Sequence, residues 1–298
     1  MNANQHISVL ANQVIRFLAP DKGKVIVDCT LGAGGHSILL LEVLNNTGAI
    51  YGIDSDERNL EIAQQNLKNF SNIHFIHDNF ENLETIGREI LQSEGHIDGI
   101  LMDLGISSMH IENPERGFSF QKQGPLDMRF NARQNLTAAD IVNTYSLEDL
   151  HSIFKVYGEE KFSYRIAEQI IKHRKRERFS TTTQLADFIK SVVPPKFRYG
   201  RIHPATRIFQ ALRVAANREV EVLNAGLVAA VNILSKNGRL AVISYHSLED
   251  RIVKNFFKDR AAHGEIAILT KKPVTPDEEE IAVNRRSRSA KLRSAEKL

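Results

Sequence analysis

Tryptophan is missing from this 298-residue chain, and cysteine occurs once, at Cys29. A single thiol excludes an internal disulfide framework and any zinc site built from several cysteines. No HExxH or comparable ligand pattern is present, so no metal is expected. No apolar run reaches the roughly 18 residues of a membrane-spanning helix. The opening MNANQHISVLANQ has no basic segment leading into an apolar one, so neither a membrane anchor nor a secretory signal is expected and a cytoplasmic protein is. Net charge is also scarce, at +3, but that small sum hides an asymmetry. Residues 151–215 hold 14 Lys/Arg against 5 Asp/Glu, and Ile281 to Leu298 hold 6 against 1, on an otherwise acidic body. Two basic regions predict a polyanionic partner, although a solvated helix face and a disordered tail would give the same count.

What is present is ordinary in amount, 42% apolar and 25% charged residues, enough for one large core or two smaller ones. The segments VIVDC, SILLLEVL, AIYGID, ERNLEIAQQNLKNF, IHFIHDNF, ENLETIGREILQ and IDGILMDLG alternate short apolar runs with helix-length stretches. This pattern predicts a parallel α/β sheet of the Rossmann kind, with four strands by Gly105. Residues from about 110 to 135 follow neither period and predict a functional loop. From Ala138 to about Val222 the spacing is helical, with Phe162, Ile166 and Ile170 on one stripe and Arg165, Gln169, Lys172 and Arg176 on another. A long helix is expected to carry Ile208, Leu212, Ala216, Val220 and Leu223, and VAAVNILSKNGRLAVISYHSLED then returns through an Asn-Gly turn to a further strand. The expected organisation is a discontinuous sheet domain, residues 1–110 and 207–298, interrupted by a mainly helical substrate domain, residues 111–206.

The stretch VIVDCTLGAGGHS, with Asp54 about 20 residues beyond its glycines, has the form of a nucleotide-cofactor cradle. Gly32, Gly34 and Gly35 permit close backbone approach, and Asp54 at the end of the second strand suits the two hydroxyls of a ribose. A pyrophosphate cofactor fits less well. The glycines depart from GxGxxG, and Asp28 just before the turn would repel phosphate but suit a cation such as the ammonium and sulfonium of S-adenosylmethionine. Helix capping is the plainer reading of Asp28 and Asp54, and exposure in a first helical turn is that of His36.

Asp103 ends the fourth strand at the sheet's carboxyl edge, where ligands of such folds bind. A methyl acceptor there must present a lone pair in line with the sulfonium. The lone pair of an exocyclic base amine is delocalised into the ring, so a carboxylate holding the amine hydrogens would help it pyramidalise. Methylation at pyrimidine carbon 5 instead needs a cysteine nucleophile, and Cys29, inside the first strand, is expected to be core. Phe118, Phe120 and Phe130, interleaved with Arg116, Asp127 and Arg129, could stack a base and hold phosphates, or simply plug a domain junction. Arg165, Lys172, Arg174, Lys175, Arg176 and Arg178 are further candidates for phosphate contacts.

The strings GAGGHS, LMDLGISS, ERGFSF, GPLDMRF, YGEEKF, HPATRIFQALR, SYHSLEDRIVK and RSAKLR, spread from His6 to the tail, together resemble the bacterial small-subunit ribosomal RNA cytosine-N4 methyltransferases, the RsmH or MraW family. The resemblance implies methyl transfer from S-adenosylmethionine to the N4 amine of a decoding-centre cytidine of 16S rRNA in a largely assembled small subunit. It implies cofactor contacts at Gly34, Gly35, His36, Asp54, Phe80 and Asp103. His110 stands at the family's glutamine contact to the cofactor, where an imidazole can still donate one hydrogen bond, and is a further cofactor candidate; Phe130 stands where the family has methionine and Tyr245 where it has phenylalanine. Asp103 is the catalytic candidate, as a bridge to the amine or as an orienter of the cofactor. Phe118, Phe120, Arg129, Asn217 and His246 are candidates for substrate contact, with helix surface polarity as the alternative for Asn217 and its neighbour Glu219. A homodimer is compatible with the sequence. A DNA amino-methyltransferase, a SAM-binding assembly factor without catalysis and an NAD-dependent oxidoreductase are the competing functions.

Overall fold

The computed structural model describes residues 8–200 and 202–298; the start of the chain through Ile7, with His6, lies outside the described residues. The elements in chain order are α1 (Ala11–Leu18), β1 (Val25–Asp28), α2 (Gly35–Leu44), β2 (Ala49–Asp54), α3 (Glu57–Asn66), β3 (Ile73–His77), α4 (Leu83–Glu94) and β4 (Gly99–Asp103). A helical stretch follows, with α5 (Ser108–Glu112), α6 (Ala138–Thr144), α7 (Leu147–Val156), α8 (Ser163–His173), α9 (Thr182–Val192) and α10 (Thr206–Ala216). The chain then forms α11 (Glu219–Ile233), β5 (Arg239–Ser244), α12 (Ser247–Ala262), β6 (Ile266–Ile268), α13 (Glu278–Val283) and β7 (Lys291–Lys297). No described helix is long and apolar enough to cross a membrane.

Two compact units result, one from the chain up to Gly105 with Val220–Leu298, the other Ile106–Glu219. The first is a seven-stranded sheet in the order β3-β2-β1-β4-β5-β7-β6, with β7 antiparallel to both its neighbours. Period-two alternation divides its strands between two cores. Val25, Val27, Ile100, Met102, Leu240 and Val242 face one side, with residues of α4, α11 and α12. Ile26, Leu101, Ala241 and Ile243 face the other, with residues of α1, α2 and α3. Because both faces are covered, the central strands read as continuous apolar runs.

The second unit has its own core of Ile141, Leu150, Phe154, Ile166, Ile170, Leu185, Ile189 and residues of α10. Sequence periodicity runs one helix through Ala216 to Leu223 and places residues from 207 on with the sheet. The structure breaks the helix between Ala216 and Glu219. Arg218 turns left-handed at φ 51°, and the Asn217 side-chain amide donates to the Arg213 carbonyl at 2.9 Å alongside its own backbone N–H at 3.1 Å. Ile208, Phe209 and Leu212 belong to the helical core, which is why α10 falls in the second unit.

The basic tail is ordered, which sets aside the alternative of a disordered one. Residues 291–297 form β7, with Leu292 and Ala295 buried and Arg293 only 8% exposed. Arg293 Nε bonds Asp250 Oδ1 at 2.7 Å and Lys291 Nζ bonds its Oδ2 at 3.2 Å, so part of the tail's charge is neutralised internally. A strand between two partners can be Ser- and Arg-rich because ladder bonds and its neighbours bury it; KLRSAEK carries too little apolar signal to show this. Deleting residues 291–298 would expose the β5 edge and orphan β6. We expect the melting temperature to fall by roughly 10 °C or more in a circular-dichroism melt; an unchanged melt would mean that the strand contributes no stability.

Candidate active site

The carboxyl ends of the parallel strands bring together most of the residues singled out in the sheet unit. The pairings Asp28↔Gly52 and Asp28↔Leu101 align β1 with β2 and β4, so Asp28, Asp54 and Asp103 end up along one edge. Each carboxylate is held differently. Asp28 is buried at 1% exposure, accepting the Ser37 hydroxyl at 2.7 Å and the Thr30 N–H at 3.2 Å. It thereby lashes β1 to α2, and burial pushes its pKa up despite the Ser37 bond. Asp54 accepts Gly32 N–H and Asp56 N–H, each at 2.8 Å, and the Asn59 amide at 3.1 and 3.2 Å. The glycine turn is thus strapped to the end of β2.

That turn needs its glycines. Gly32 and Gly34 have φ of 55° and 85°, and a Cβ on Gly34 would lie 2.6 Å from Leu67 Cδ1. Gly35 opens α2, and no side chain caps that helix start. His36, in the first turn, is 8% exposed, and neither ring nitrogen makes a hydrogen bond among the described residues. Its Nε2 stands 3.6 Å from Asp103 Oδ2, close enough for an ion pair but too far for a hydrogen bond.

Asp103 is the hub of this edge. Its backbone N–H donates to Thr30 Oγ1 at 2.7 Å, and its Oδ1 accepts the Tyr245 hydroxyl at 2.8 Å. Its Oδ2 faces His36 without a hydrogen bond, and the side chain is 23% exposed. Burial, with the Asp103 carboxylate beside it, pushes the Tyr245 hydroxyl well up, so it stays a donor. For His36, burial works against protonation, but Asp103, Asp28 and Glu280 more than offset it, and its pKa is raised above 6.5. Cys29 is buried, and burial with the neighbouring Asp28 pushes its thiol well up, which removes it as a nucleophile. Phe80 follows β3, and Gly226 on α11 leaves room for its ring, since a Cβ there would lie 2.6 Å from Phe80 Cδ2. His246 lies just past β5 as the N-cap of α12; its ring accepts Glu249 N–H and its Nε2 lies 3.0 Å from Glu249 Oε1.

The remaining candidates lie in the helical unit. His110 caps α5 with Ser107, and its ring sits 4.9 Å from Phe118 and 5.2 Å from Phe130, which stack on each other. Phe120 is elsewhere, 4.8 Å from both His203 and Phe209. Arg129 clamps Asp127 through Nε and Nη2, each at 2.8 Å, and donates Nη1 to the Ala132 and Gln134 carbonyls. Asn217 donates to Met128 O at 2.7 Å and accepts Phe130 N–H at 2.8 Å, bracketing Met128 at φ 63°. Arg129 and Asn217 therefore brace the DMRF segment. Of the proposed phosphate contacts, Lys172 is paired to Glu168 at 2.7 Å and Arg174 donates to Val142 O.

Sequence reasoning missed Ser37 and Asn59, and also the Thr30 and Tyr245 bonds to Asp103, which depend on distant partners. Gly226 had a signal, a glycine inside a helical pattern.

The sequence matches the MraW methylase family over residues 3–298. The chain belongs to that family. Relatives called ribosomal RNA small subunit methyltransferase H include one from Sulfurihydrogenibium sp., 47% identical with 97% of this chain and 98% of the relative covered. Another, from Nostoc punctiforme, is 48% identical over 99% of this chain and 95% of its own. A structure of a putative methyltransferase from Streptococcus mutans in complex with SAH aligns over 98% of this chain and 100% of its own, with 14% identity and a TM-score of 0.48. Members of the MraW family thus match this chain along almost its whole length.

The His36–Asp103 pair has a testable signature. Asp103→Asn removes the largest of the charges that offset burial, so the His36 pKa should fall from its parental value in an NMR titration. Tyr245→Phe keeps the charge and should leave His36 above 6.5. Identical His36 titration in Asp103→Asn and the parent would show that the carboxylate does not govern the ring.

Proposed function

We propose that this protein methylates the N4 amine of a decoding-centre cytidine in 16S rRNA of the small ribosomal subunit, with S-adenosylmethionine as donor. The observation that carries this reading is Asp103, in a chain of the MraW family. Its carboxylate is fixed through Oδ1 by Tyr245, and Oδ2 stays available at the sheet edge. The proposed substrate places the activity in the cytoplasm.

The residues at this edge suit the donor. His36 supplies buried ring nitrogens without a hydrogen bond among the described residues, and the glycine turn with uncapped α2 brings backbone close to a ligand. We assign Gly32, Gly34, Gly35 and His36 to the methionine end, Asp54 to the ribose hydroxyls and Phe80 to the adenine. When bound, S-adenosylmethionine supplies an electrophilic methyl group on a sulfonium. Asp103 Oδ2 is the atom assigned to hold one amine hydrogen, freeing the nitrogen lone pair from the ring, and to receive the proton released as N4 gains its methyl. The high thiol pKa of Cys29 leaves carbon methylation without its nucleophile. We assign Phe118, Phe120 and His110 to aromatic support of the substrate loop and Arg129 and Asn217 to its shape. His246 is assigned to substrate contact beyond β5.

Transfer of labelled methyl groups onto small subunits from cells lacking this modification, followed by mass mapping, tests the reading. The label should fall on a single cytidine as N4-methyl, and Asp103→Ala should slow transfer by about 10²–10⁴-fold. A label on DNA only, or full transfer by the variant, would overturn it. Because a protonated His36 and a sulfonium repel, affinity for S-adenosylmethionine should rise by roughly several-fold as pH increases through the raised His36 pKa, measured by calorimetry. A flat pH dependence would place His36 away from the donor.

A further inference from the structure

The YGEEKF segment has no part in the chemistry above, yet it shapes an open cavity of about 610 Å³ in the helical unit. The cavity lies where the loop after α7 meets the first turn of α8, and its lining includes His151, Lys155, Lys161, Tyr164 and Arg165. Its volume falls within the roughly 300–1,000 Å³ of small-ligand sites, though it is open on one side.

The loop is built, not slack. A Cβ on Gly158 would lie 2.6 Å from Arg207 O and 2.8 Å from Phe154 O, and Glu159 adopts φ 48°. Backbone strain of this kind persists only where the surroundings enforce it. Glu160 is turned inward at 8% exposure, its Oε1 accepting Phe162 N–H at 2.9 Å. Glu159 is then the one exposed acid among the lining residues, against three exposed cations, Lys155, Lys161 and Arg165.

Those cations and one ring are available. Lys155 has no hydrogen-bond or ion-pair partner among the described residues, and Arg165 uses only Nε, donating to Val192 O at 2.7 Å. Lys161 is held over the Phe197 ring, 3.6 Å from its centroid. Tyr164 is 56% exposed, steadied edge-on by His151 at 5.5 Å, whose buried Nδ1 makes no hydrogen bond among the described residues. α8 begins without a side-chain cap, so its first turn adds backbone donors. An exposed aromatic face beside unpaired cations is the chemistry that holds single-stranded nucleic acid, the ring stacking a base and the cations taking flanking phosphates. An acidic peptide would satisfy the cations but leave the ring unused.

We propose that this pocket of the helical unit is an RNA-anchoring site, holding one unpaired nucleotide with its base on Tyr164 and its phosphates on Lys155 and Arg165. The proposal rests on the RNA substrate argued above. It concerns grip and not chemistry, so it predicts a change in KM for the subunit at unchanged kcat.

The test uses the full chain, a fluorescein-labelled single-stranded RNA read by anisotropy at several salt concentrations, and methyl transfer onto small subunits. The pair Lys155→Ser and Arg165→Ser should weaken RNA binding by about 10-fold at low salt and flatten the slope of log K against log salt by about 1.4. Tyr164→Ala should weaken binding roughly 5-fold or more with the slope unchanged. All should raise KM for small subunits and leave calorimetric S-adenosylmethionine affinity alone. Lys254→Ser with Lys258→Ser, the same charge change on α12, is the control and should have little effect. Parental affinity and slope in the pocket variants, or an equal loss in the control, would overturn the proposal while leaving the methyl-transfer reading intact. Binding that depends on Tyr164 in a parent protein that transfers no methyl group would instead support the pocket and sink the functional reading.

Discussion

Three carboxylates at one sheet edge would repel one another unless each were given its own partners, and the site depends on that division. Parallel pairing of β1 between β2 and β4 fixes where Asp28, Asp54 and Asp103 stand. Asp28 is taken up by Ser37 and Thr30, and Asp54 by Gly32, Asp56 and Asn59. Asp103 alone keeps an oxygen out of hydrogen bonding, because Tyr245 engages the other one. The bonds that satisfy the first two acids also hold the glycine turn against the ends of β1 and β2. Turn geometry and electrostatics are therefore one structure, and a change in either moves the other.

His36 couples this arrangement to pH. A fully enclosed imidazole ordinarily gives up its proton, yet the neighbouring carboxylates tilt the balance the other way. Because its folded pKa lies above the unfolded value, the associated stability is complete below about pH 6.5 and is lost as pH rises through the folded pKa. Binding a cation at the same edge opposes the charged ring, so stability without ligand and affinity for ligand pull on His36 in opposite directions.

The helical unit solves a different problem, the shaping of loops without regular structure. Met128 is wholly buried in a left-handed conformation, and the bonds from Asn217, Arg116 and Arg129 around it leave the segment little choice. Gly158 and Glu159 do the same for the YGEEKF loop by close backbone approach. Arginine in such a loop is read from sequence as a charge offered to solvent. Here the Arg129 guanidinium is used up internally, while Lys155, Lys161 and Arg165, on α7, α8 and the loop between them, stay exposed.

The sequence by itself determined the parallel α/β sheet, the position of the glycine turn and the acids at the strand ends. Those features rest on local rules: apolar runs of strand length, positive φ at glycine, and the fact that a parallel strand delivers its last residue to one edge. It also carried the family, through strings spread over the whole chain. Only tertiary structure decided that KLRSAEK is a strand, because its burial is supplied by β5 and β6 and not by its own side chains. Tertiary structure likewise decided that the helix after Ala216 breaks, that Asp28 is sealed from solvent and that Tyr245 restrains Asp103. Each of those outcomes depends on a partner well removed in sequence or on burial shared among several elements, and periodicity and composition contain no term for either.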